Sequence, residues 1–309
     1  MPGTLKGLGS RAIIGAFFKR LEEAMTASWV SRLASQYDSN QEVETYTFAS
    51  DSPTLKELGN SPTKRTLKTF ELSLRNRVYQ NILEIKEDDM RRDKTGQIMA
   101  RVNERAARAA QLPQSLLTAL LLNANGKAYD KKNFFASDHR NENGDTIDNA
   151  ISHTVAAANQ LTTQEGIDVA LKAIEQIVGF LDDEGEPRNE FARQFTIMCP
   201  INLHTGLLSA TRNEFSGNGA SNTLRNSDYQ ISVIMNPRLT AEDQLFVFRS
   251  DSDVRALLWQ DEVPTQFAER NPQNSDIGFL NDVHLFKAKR VCAAGYGRYD
   301  QAVRVTLTT

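Results

Sequence analysis

One stretch of this chain limits its fold more than any other: residues 94–126, in which apolar side chains recur at steps of three and four. That spacing is typical of one face of a helix. At about 1.5 Å per residue, such a helix would be roughly 45 Å long. The sequence therefore predicts a rod along which other elements pack. Its apolar face is formed by Ile98, Val102, Ala106, Ala109, Leu116 and Leu120.

The ends and the middle of this predicted helix carry their own signals. Thr95 can cap its start, and Asn125-Gly126 offers the left-handed residue that commonly ends a helix. Pro113 lacks an N–H and clashes with the preceding turn. We therefore expect a kink near residues 109–112, or two abutting helices.

The opposite face of the predicted helix is basic, with Arg101, Arg105 and Arg108. A solvated helix face is the ordinary explanation for such residues, and contact with phosphate is the alternative. The charge of the whole chain is uneven: 18 Lys and Arg stand against 14 Asp and Glu through Ala110, and 18 against 25 in the remainder. This basic excess is too small for a dedicated nucleic-acid reader.

Composition excludes some classes of protein. No run of eighteen apolar residues occurs, so we expect no membrane span. The two cysteines, Cys199 and Cys292, lie in apolar, strand-like runs. They are expected to be buried, reduced thiols.

The N-terminal residues 1–41 contain short amphipathic pieces that cannot form a core alone. Phe17 and Phe18 fall at helical spacing with neighbouring apolar residues, and Trp29 follows. We expect this arm to dock on its own chain or on a neighbouring molecule.

Two alternating stretches, residues 42–50 and 67–77, predict strands, and residues 51–66 between them are rich in turn formers. Together they predict a long two-stranded ribbon with a large tip. An isolated ribbon is marginally stable in water. It therefore requires a surface beneath it, either on its own domain or on a neighbour.

The remainder of the chain alternates helices and strands without a repeat. Thr162 and Glu165 form a capping box at the start of a helix. The pattern predicts an α+β fold with a helix-and-sheet middle domain. Further strands are predicted at 78–86, 194–199, 229–235, 245–248, 283–294 and 302–307, a helix at 201–210, a flexible loop at 212–228, a short apolar piece at 254–259 and a polar connection at 270–275.

A search for chemistry finds no phosphate-binding loop and no nucleophile elbow, and neither histidines nor cysteines stand at metal-ligand spacing. Asp138-His139 is the only adjacent acid–imidazole pair. Adjacent residues of an extended chain point apart, so a polar turn is the preferred interpretation. The sequence predicts no catalytic residue, no cofactor and no metal.

Several motifs, taken in their order, resemble one family. They are T-F-x-x-x-x-P-T-L-K-E-L at 47–58, I-x-x-D-D-M at 85–90, N-F-F-A-S-D-H at 133–139 and Y-x-I-S-V-I at 229–234. The chain resembles the major capsid proteins of tailed bacteriophages with the Hong Kong-97 fold, most closely the Mu-like major head subunit. The resemblance extends from about residue 16 to the C-terminus.

The resemblance implies a division of the chain into five segments. These are an N-terminal arm (1–41), an extended β-hairpin loop (42–77), a peripheral domain (78–155) with a spine helix (94–125), an axial domain (156–282) and return strands of the peripheral domain (283–309). The apolar face of the spine helix should cover the peripheral sheet. Its arginine face should meet the arm, a neighbour or the DNA side, and Pro113 should bend it.

The resemblance also implies a structural function. Such proteins form icosahedral shells of hexamers and pentamers around double-stranded DNA, in a virion assembled in the host cytoplasm. The implied partners are copies of this chain, a separate scaffolding protein, a portal, non-specifically contacted DNA and, in some relatives, a decoration protein. The residues expected at inter-subunit contacts are Pro53, Leu55, Lys56, Leu58, Lys64, Arg65, Phe17, Phe18 and Trp29.

Three alternatives stay open at this point. An encapsulin-like compartment shell would share the fold and enclose an enzyme instead of DNA. A hydrolase would need a cleft around His139 or His204. A DNA-binding protein would show salt-dependent affinity for duplex DNA as a free subunit.

Overall fold

The computed structural model describes residues 3–49, 69–92, 96–217, 219–272 and 276–309. The helices are α1 Gly3–Thr26, α2 Val30–Leu33, α3 Glu87–Arg92, α4 Gln97–Ala110, α5 Leu112–Leu122, α6 Thr163–Val178, α7 Ile201–Arg212 and α8 Asp276–Asn281. Among the described helices, none is long and apolar enough to cross a membrane.

In the described part of the chain, the strands form two larger sheets and two short ribbons, which confirms the predicted α+β class. The four-stranded sheet has the order β1-β11-β12-β4, the five-stranded sheet has the order β7-β13-β10-β8-β9, and β2-β3 and β5-β6 are two-stranded. The strands are β1 Ala34–Asp38, β2 Val43–Ala49, β3 Thr69–Arg75, β4 Arg77–Lys86, β5 His139–Arg140, β6 Thr146–Ile147, β7 Ala150–Thr154, β8 Gln194–Cys199, β9 Gln230–Met235, β10 Gln244–Arg249, β11 Leu257–Arg270, β12 Val283–Tyr296 and β13 Ala302–Thr308.

The predicted rod is two abutting helices, α4 and α5, with Gln111 between them. Pro113 is the second residue of α5. Its missing N–H costs nothing there, because the first turn of a helix leaves its N–H groups without helical partners. Helix α4 begins at Gln97 behind Gly96, which has φ 70°, and Thr95 lies outside the described residues.

The predicted end of this helix is wrong. Helix α5 ends at Leu122, and neither Asn125 nor Gly126 has a positive φ. Gly126 is required for space instead, since a Cβ built there would lie 1.8 Å from the hydroxyl oxygen of Tyr296. That hydroxyl donates to the carbonyl of Leu120 at 2.8 Å, so a tertiary contact holds the last turn.

Most of the N-terminal arm is helix α1, which packs along α4, and the short helix α2 and strand β1 follow it. The buried residues of α1 join α4 and β12 in a small apolar cluster that is separate from the main core. The arm therefore docks on its own chain. The buried members of this cluster, among the described residues, are Ile13, Phe17, Leu21, Ile85, Val102, Ala106, Ala110, Phe286 and Ala288.

The segment predicted as a short apolar piece is instead the start of the 14-residue strand β11, and the sequence signal failed because Pro264 lies inside that strand. A proline cannot donate a ladder hydrogen bond, so it requires an edge or a bulge. The pairing of β11 with β12 shifts register between Asp261 and Val263 and again between Val263 and Gln266. The pairing of β11 with β1 ends at Asp261, so the proline lies at these irregularities and where β11 has a described partner strand on one side only.

The two large sheets draw on segments that are distant in sequence. Strand β11 pairs with β12 in the same sheet as β4, whereas β13 pairs with β10 and β7 in the other sheet. Helix α4 packs on β4 and β12. Strand β13 is not part of the sheet beneath α4, whereas the whole segment 283–309 was expected to return to that sheet. The boundaries of the peripheral and axial domains stay a prediction.

Two local predictions in the middle of the chain have clear outcomes. The capping box of Thr162 and Glu165 is present at the start of α6. The segment expected to be a flexible loop folds back on the end of α7, because the buried Asn222 amide donates to the carbonyls of Ala210 at 2.7 Å and Asn213 at 2.8 Å.

Candidate assembly surfaces

The ribbon consists of β2 and β3, paired antiparallel from Val43 opposite Arg75 to Ala49 opposite Thr69. Within the described residues, its strands pair only with each other. Alternate side chains of β3 point to the two faces of the ribbon. Thr69, Glu71, Ser73 and Arg75 are exposed, whereas Phe70, Leu72 and Leu74 are half-buried.

The half-buried face of the ribbon lies on its own chain. The ring of Phe70 lies 5.5 Å from that of Tyr129. Leu74 fills a notch at Gly295, where a built Cβ would lie 2.5 Å from Leu74 Cδ2. The sequence left open whether the ribbon lies on its own domain or on a neighbour. The described part of the ribbon lies on its own chain.

The base of the ribbon is polar. Tyr46 on β2 donates its hydroxyl to Gln260 Oε1 at 2.7 Å, and Gln260 Nε2 donates to Asn76 Oδ1 at 2.7 Å. Asn76 and Gln260 are both buried. Burial raises the pKa of Tyr46 to about 12.

The predicted contact residues of the extended loop lie outside the described residues, so their role stays a prediction. They are Pro53, Leu55, Lys56, Leu58, Lys64 and Arg65.

The predicted contact residues of the arm occupy three different environments. Phe17 is fully buried and its ring is stacked on Phe267 at 4.2 Å, so it packs inside its own chain. Phe18 is 39% exposed. Trp29 is half-buried against the main core. Of the three side chains, Phe18 offers the most surface to a neighbouring molecule.

The arginine face of the spine helix is not a uniform row of free cations. Arg105 turns to the sheet, where its Nε donates to Asn81 Oδ1 at 2.9 Å, and burial lowers its pKa. Arg108 pairs with Glu104 on its own helix at 2.6 Å. Arg101 is exposed and lines a groove with Lys86. Because these arginines have different neighbours, contact of this face with DNA is not favoured by geometry.

Sequence reasoning missed a buried polar centre around His139. The ring is fully buried, and its Nδ1 lies 2.6 Å from Asp130 Oδ2 and its Nε2 lies 3.2 Å from the carbonyl oxygen of Phe134. It is stacked on Tyr299 at 3.9 Å. Asp138, its neighbour in sequence, pairs instead with Lys132 at 3.2 Å. His139 is therefore a structural residue that no substrate can reach, which removes one of the two clefts proposed for a hydrolase.

The adjoining residue Asp300 is also fully buried. It pairs with Arg188 and Arg298, and these two guanidinium groups hold the pKa of Asp300 well below its usual range despite its burial. Paired charges of this kind resist separation, because removing one partner leaves an uncompensated buried charge. The centre thus fixes the loop that follows α5 against the start of β13.

Several large apolar side chains are exposed, a pattern that often marks contact surfaces. Val78 and Ile82 share one face of β4, which is an edge strand of the four-stranded sheet. Sequence periodicity could have flagged these positions only if the edge position of β4 had been known. The described apolar side chains that are more than half exposed are Val78, Ile82, Phe191, Ile201, Phe215 and Leu280.

A family model described as "Mu-like prophage major head subunit gpT" matches residues 11–162, just under half of the chain. A comparison with curated protein sequences gives no match.

The fold is shared with solved capsid structures. The chain of the bacteriophage JBD30 capsid is 14% identical at a TM-score of 0.53, with 90% of this chain and 64% of that chain covered. The mature capsid of bacteriophage PhiM1 gives 13% identity, a TM-score of 0.57, and 90% and 86% covered. A virus-like particle from Pyrococcus furiosus gives 8% identity, a TM-score of 0.58, and 94% and 98% covered.

The aligned part therefore spans about two thirds of the JBD30 capsid chain and most of the other two. At these identities the structural likeness establishes the fold. The family match adds a similarity of residues 11–162 to the Mu-like major head subunit. Together they support one conclusion: the chain has the Hong Kong-97 fold of phage capsid proteins, and its residues 11–162 are similar to a phage major head subunit.

Proposed function

We propose that this chain assembles with copies of itself into hexamers and pentamers that build a closed icosahedral shell around double-stranded DNA. The observation that carries the proposal is the match to the major head subunit family on a chain with a capsid fold. Identical subunits in closed point-group symmetry bury the same patches in every copy. Copies of this chain are therefore its principal partners.

The further partners follow from the same function. A bacteriophage JBD30 capsid that is decorated with minor capsid protein trimers is similar to this chain at a TM-score of 0.51. A decoration protein, a scaffolding protein and a portal are accordingly proposed partners. Assembly would take place in the cytoplasm of a bacterial host, and the finished protein would be part of the virion.

Contact with packaged DNA, where it occurs, would be made through phosphate charge without sequence preference. Arg101 is an exposed cation of the spine helix that is available for it. We predict that the affinity for DNA falls with rising salt concentration and that a substitution of Arg101 weakens it slightly. Each phosphate contact adds about one unit to the slope of log affinity against log salt concentration.

A second candidate function is an encapsulin-like compartment shell. It is favoured by one observation, the likeness to the virus-like particle from Pyrococcus furiosus over nearly its whole length. The cargo separates the two functions, since a phage head contains duplex DNA and a compartment shell contains protein. Nuclease-protected DNA in particles from a producing cell would support the capsid.

The test of assembly is electron microscopy of the protein expressed alone and with a candidate scaffolding protein. Closed shells are expected in at least one of the two preparations. Deletion of residues 51–66 should leave folded subunits that form no closed shell. Normal shells from that deletion would show that the loop tip is dispensable for assembly.

A further inference from the structure

The buried side-chain amide of Gln260 is hydrogen-bonded at the base of both strands of the ribbon. Gln260 lies on β11 in the four-stranded sheet and is fully buried. Its Oε1 accepts the hydroxyl of Tyr46 on β2, and its Nε2 donates to Asn76, which directly follows β3. Both strands of the ribbon are thus fastened to the same point of the body.

Asn76 extends this connection to the turn before β2. Its Nδ2 donates to Ser39 Oγ at 2.9 Å and to the carbonyl of Gln41 at 2.8 Å, and its backbone N–H donates to the carbonyl of Glu42 at 2.8 Å. Three of its four side-chain hydrogen-bonding positions are therefore used, two on the turn before β2 and the third, Oδ1, on Gln260 of β11.

The position of Asn76 in the chain lets these hydrogen bonds affect the orientation of the ribbon. Asn76 is the one residue between β3, which ends at Arg75, and β4, which begins at Arg77. The backbone at Asn76 therefore sets the angle at which the ribbon leaves the four-stranded sheet. A buried, hydrogen-bonded side chain holds that backbone in a single conformation, since each alternative would leave buried polar groups unpaired.

We propose that Asn76 and Gln260 are positioning residues that lock the angle between the ribbon and the four-stranded sheet of the unassembled subunit. The lock directs the ribbon to where a neighbouring copy binds, so assembly does not have to order it. The lock itself rests on the geometry, and its purpose rests on the proposed assembly function.

A spin-label distance measurement on the unassembled full chain tests the lock. Nitroxide labels are placed at Ser73→Cys on the exposed face of the ribbon and at Gln266→Cys on β11, both exposed positions. The native thiols Cys199 and Cys292 are buried, and burial raises the pKa of each to about 12, so they stay unlabelled at neutral pH. Label counting on the chain without the two added cysteines checks this point.

The variants are chosen so that loss of the lock is distinguishable from unfolding. Asn76→Ala and Gln260→Leu remove the network, whereas Tyr46→Phe removes one bond and keeps the ring beside Tyr37. Glu71→Gln, on the exposed face of β3, is the matched control. Circular dichroism reports whether each variant is folded.

The lock predicts a single narrow distance distribution in the parent and the control, and a distribution about twofold wider in Asn76→Ala and Gln260→Leu, because the ribbon then samples several angles. Tyr46→Phe should widen it less. Distributions as narrow as the parent's in all three folded variants would overturn the proposal, as would a broad distribution in the parent.

Shell formation by the same variants separates the lock from its purpose. Wide distributions with failed or irregular shells support both parts of the proposal. Wide distributions with normal shells leave the lock in place and contradict its purpose in assembly. If the parent itself forms no shells, the proposed function fails while the distance measurement still decides the lock.

Discussion

The arm helix α1 and the ribbon both lie on the body of their own chain, but different forces hold them. Helix α1 contributes Ile13, Phe17 and Leu21 to an apolar cluster with α4 and β12. The ribbon is held by a buried amide at its base and by half-buried contacts at Phe70 and Leu74. The hydrophobic effect is non-directional, whereas hydrogen bonds fix angles. The contacts of the arm therefore mainly stabilise the fold, whereas the hydrogen bonds at the base of the ribbon also fix its orientation.

The largest expected effect lies in the arm. Phe17→Ala removes a fully buried ring and should cost about 3–5 kcal/mol of unfolding free energy. Phe18→Ala, at a position 39% exposed on the same helix, should cost much less. Urea unfolding of both variants checks the contrast. Equal losses would show that the arm is not anchored through Phe17.

The notch beneath the ribbon gives the next effect. Gly295→Ala places a methyl group 2.5 Å from Leu74 Cδ2, and overpacking of this kind costs about 1–3 kcal/mol. The loss should fall below 3 kcal/mol because the end of a leucine side chain can shift. Leu74→Ala combined with Gly295→Ala should restore part of it. If the double variant loses as much unfolding free energy as the two single variants lose together, the two side chains do not meet.

Tyr46→Phe should have a smaller effect, about 1 kcal/mol for one hydrogen bond. Burial raises the pKa of Tyr46 from 10.0 to about 12, so the folded state favours the neutral phenol. That contribution is complete below pH 10 and is lost as the pH rises towards 12. The ribbon distances should therefore widen in this window in the parent and change less in Tyr46→Phe. An equal response of the two proteins to pH would contradict the assignment.

The smallest effect is expected at the exposed pair of Arg75 and Glu42, whose Nη2 and Oε1 atoms lie 2.5 Å apart at the ribbon base. Both side chains are largely exposed, and such pairs contribute about 0–1 kcal/mol. Arg75→Ala should change neither the urea midpoint nor the distance distribution appreciably. A loss as large as that of Gly295→Ala would mean that surface charge, and not the buried amide, holds the ribbon.

What sequence reasoning could reach depended on whether the signal was local. The helical spacing within residues 94–126, the break beside Pro113 and the capping box at Thr162 are properties of neighbouring residues. The structure confirms the helix over 97–110 and 112–122, the break between these two parts and the capping box. The strands of the ribbon were also predicted, because their alternation is local.

The errors came from long-range contacts. Strand β11 accommodates Pro264 where its pairing with β12 shifts register and its pairing with β1 has ended, and Gly126 leaves space for Tyr296 on a distant strand. Likewise, the burial of His139 depends on Tyr299, which lies near the end of the chain. The lock at Gln260 joins residues more than 180 positions apart, a relation that spacing along one sequence cannot reveal.

The most direct test of this account is a cryo-electron microscopy map of assembled particles. The account predicts a closed icosahedral shell in which each arm helix stays on its own α4 and each ribbon leaves its base at the angle set by Asn76 to reach a neighbouring copy. Particles that never close, or shells in which the ribbon contacts only its own subunit, would contradict it.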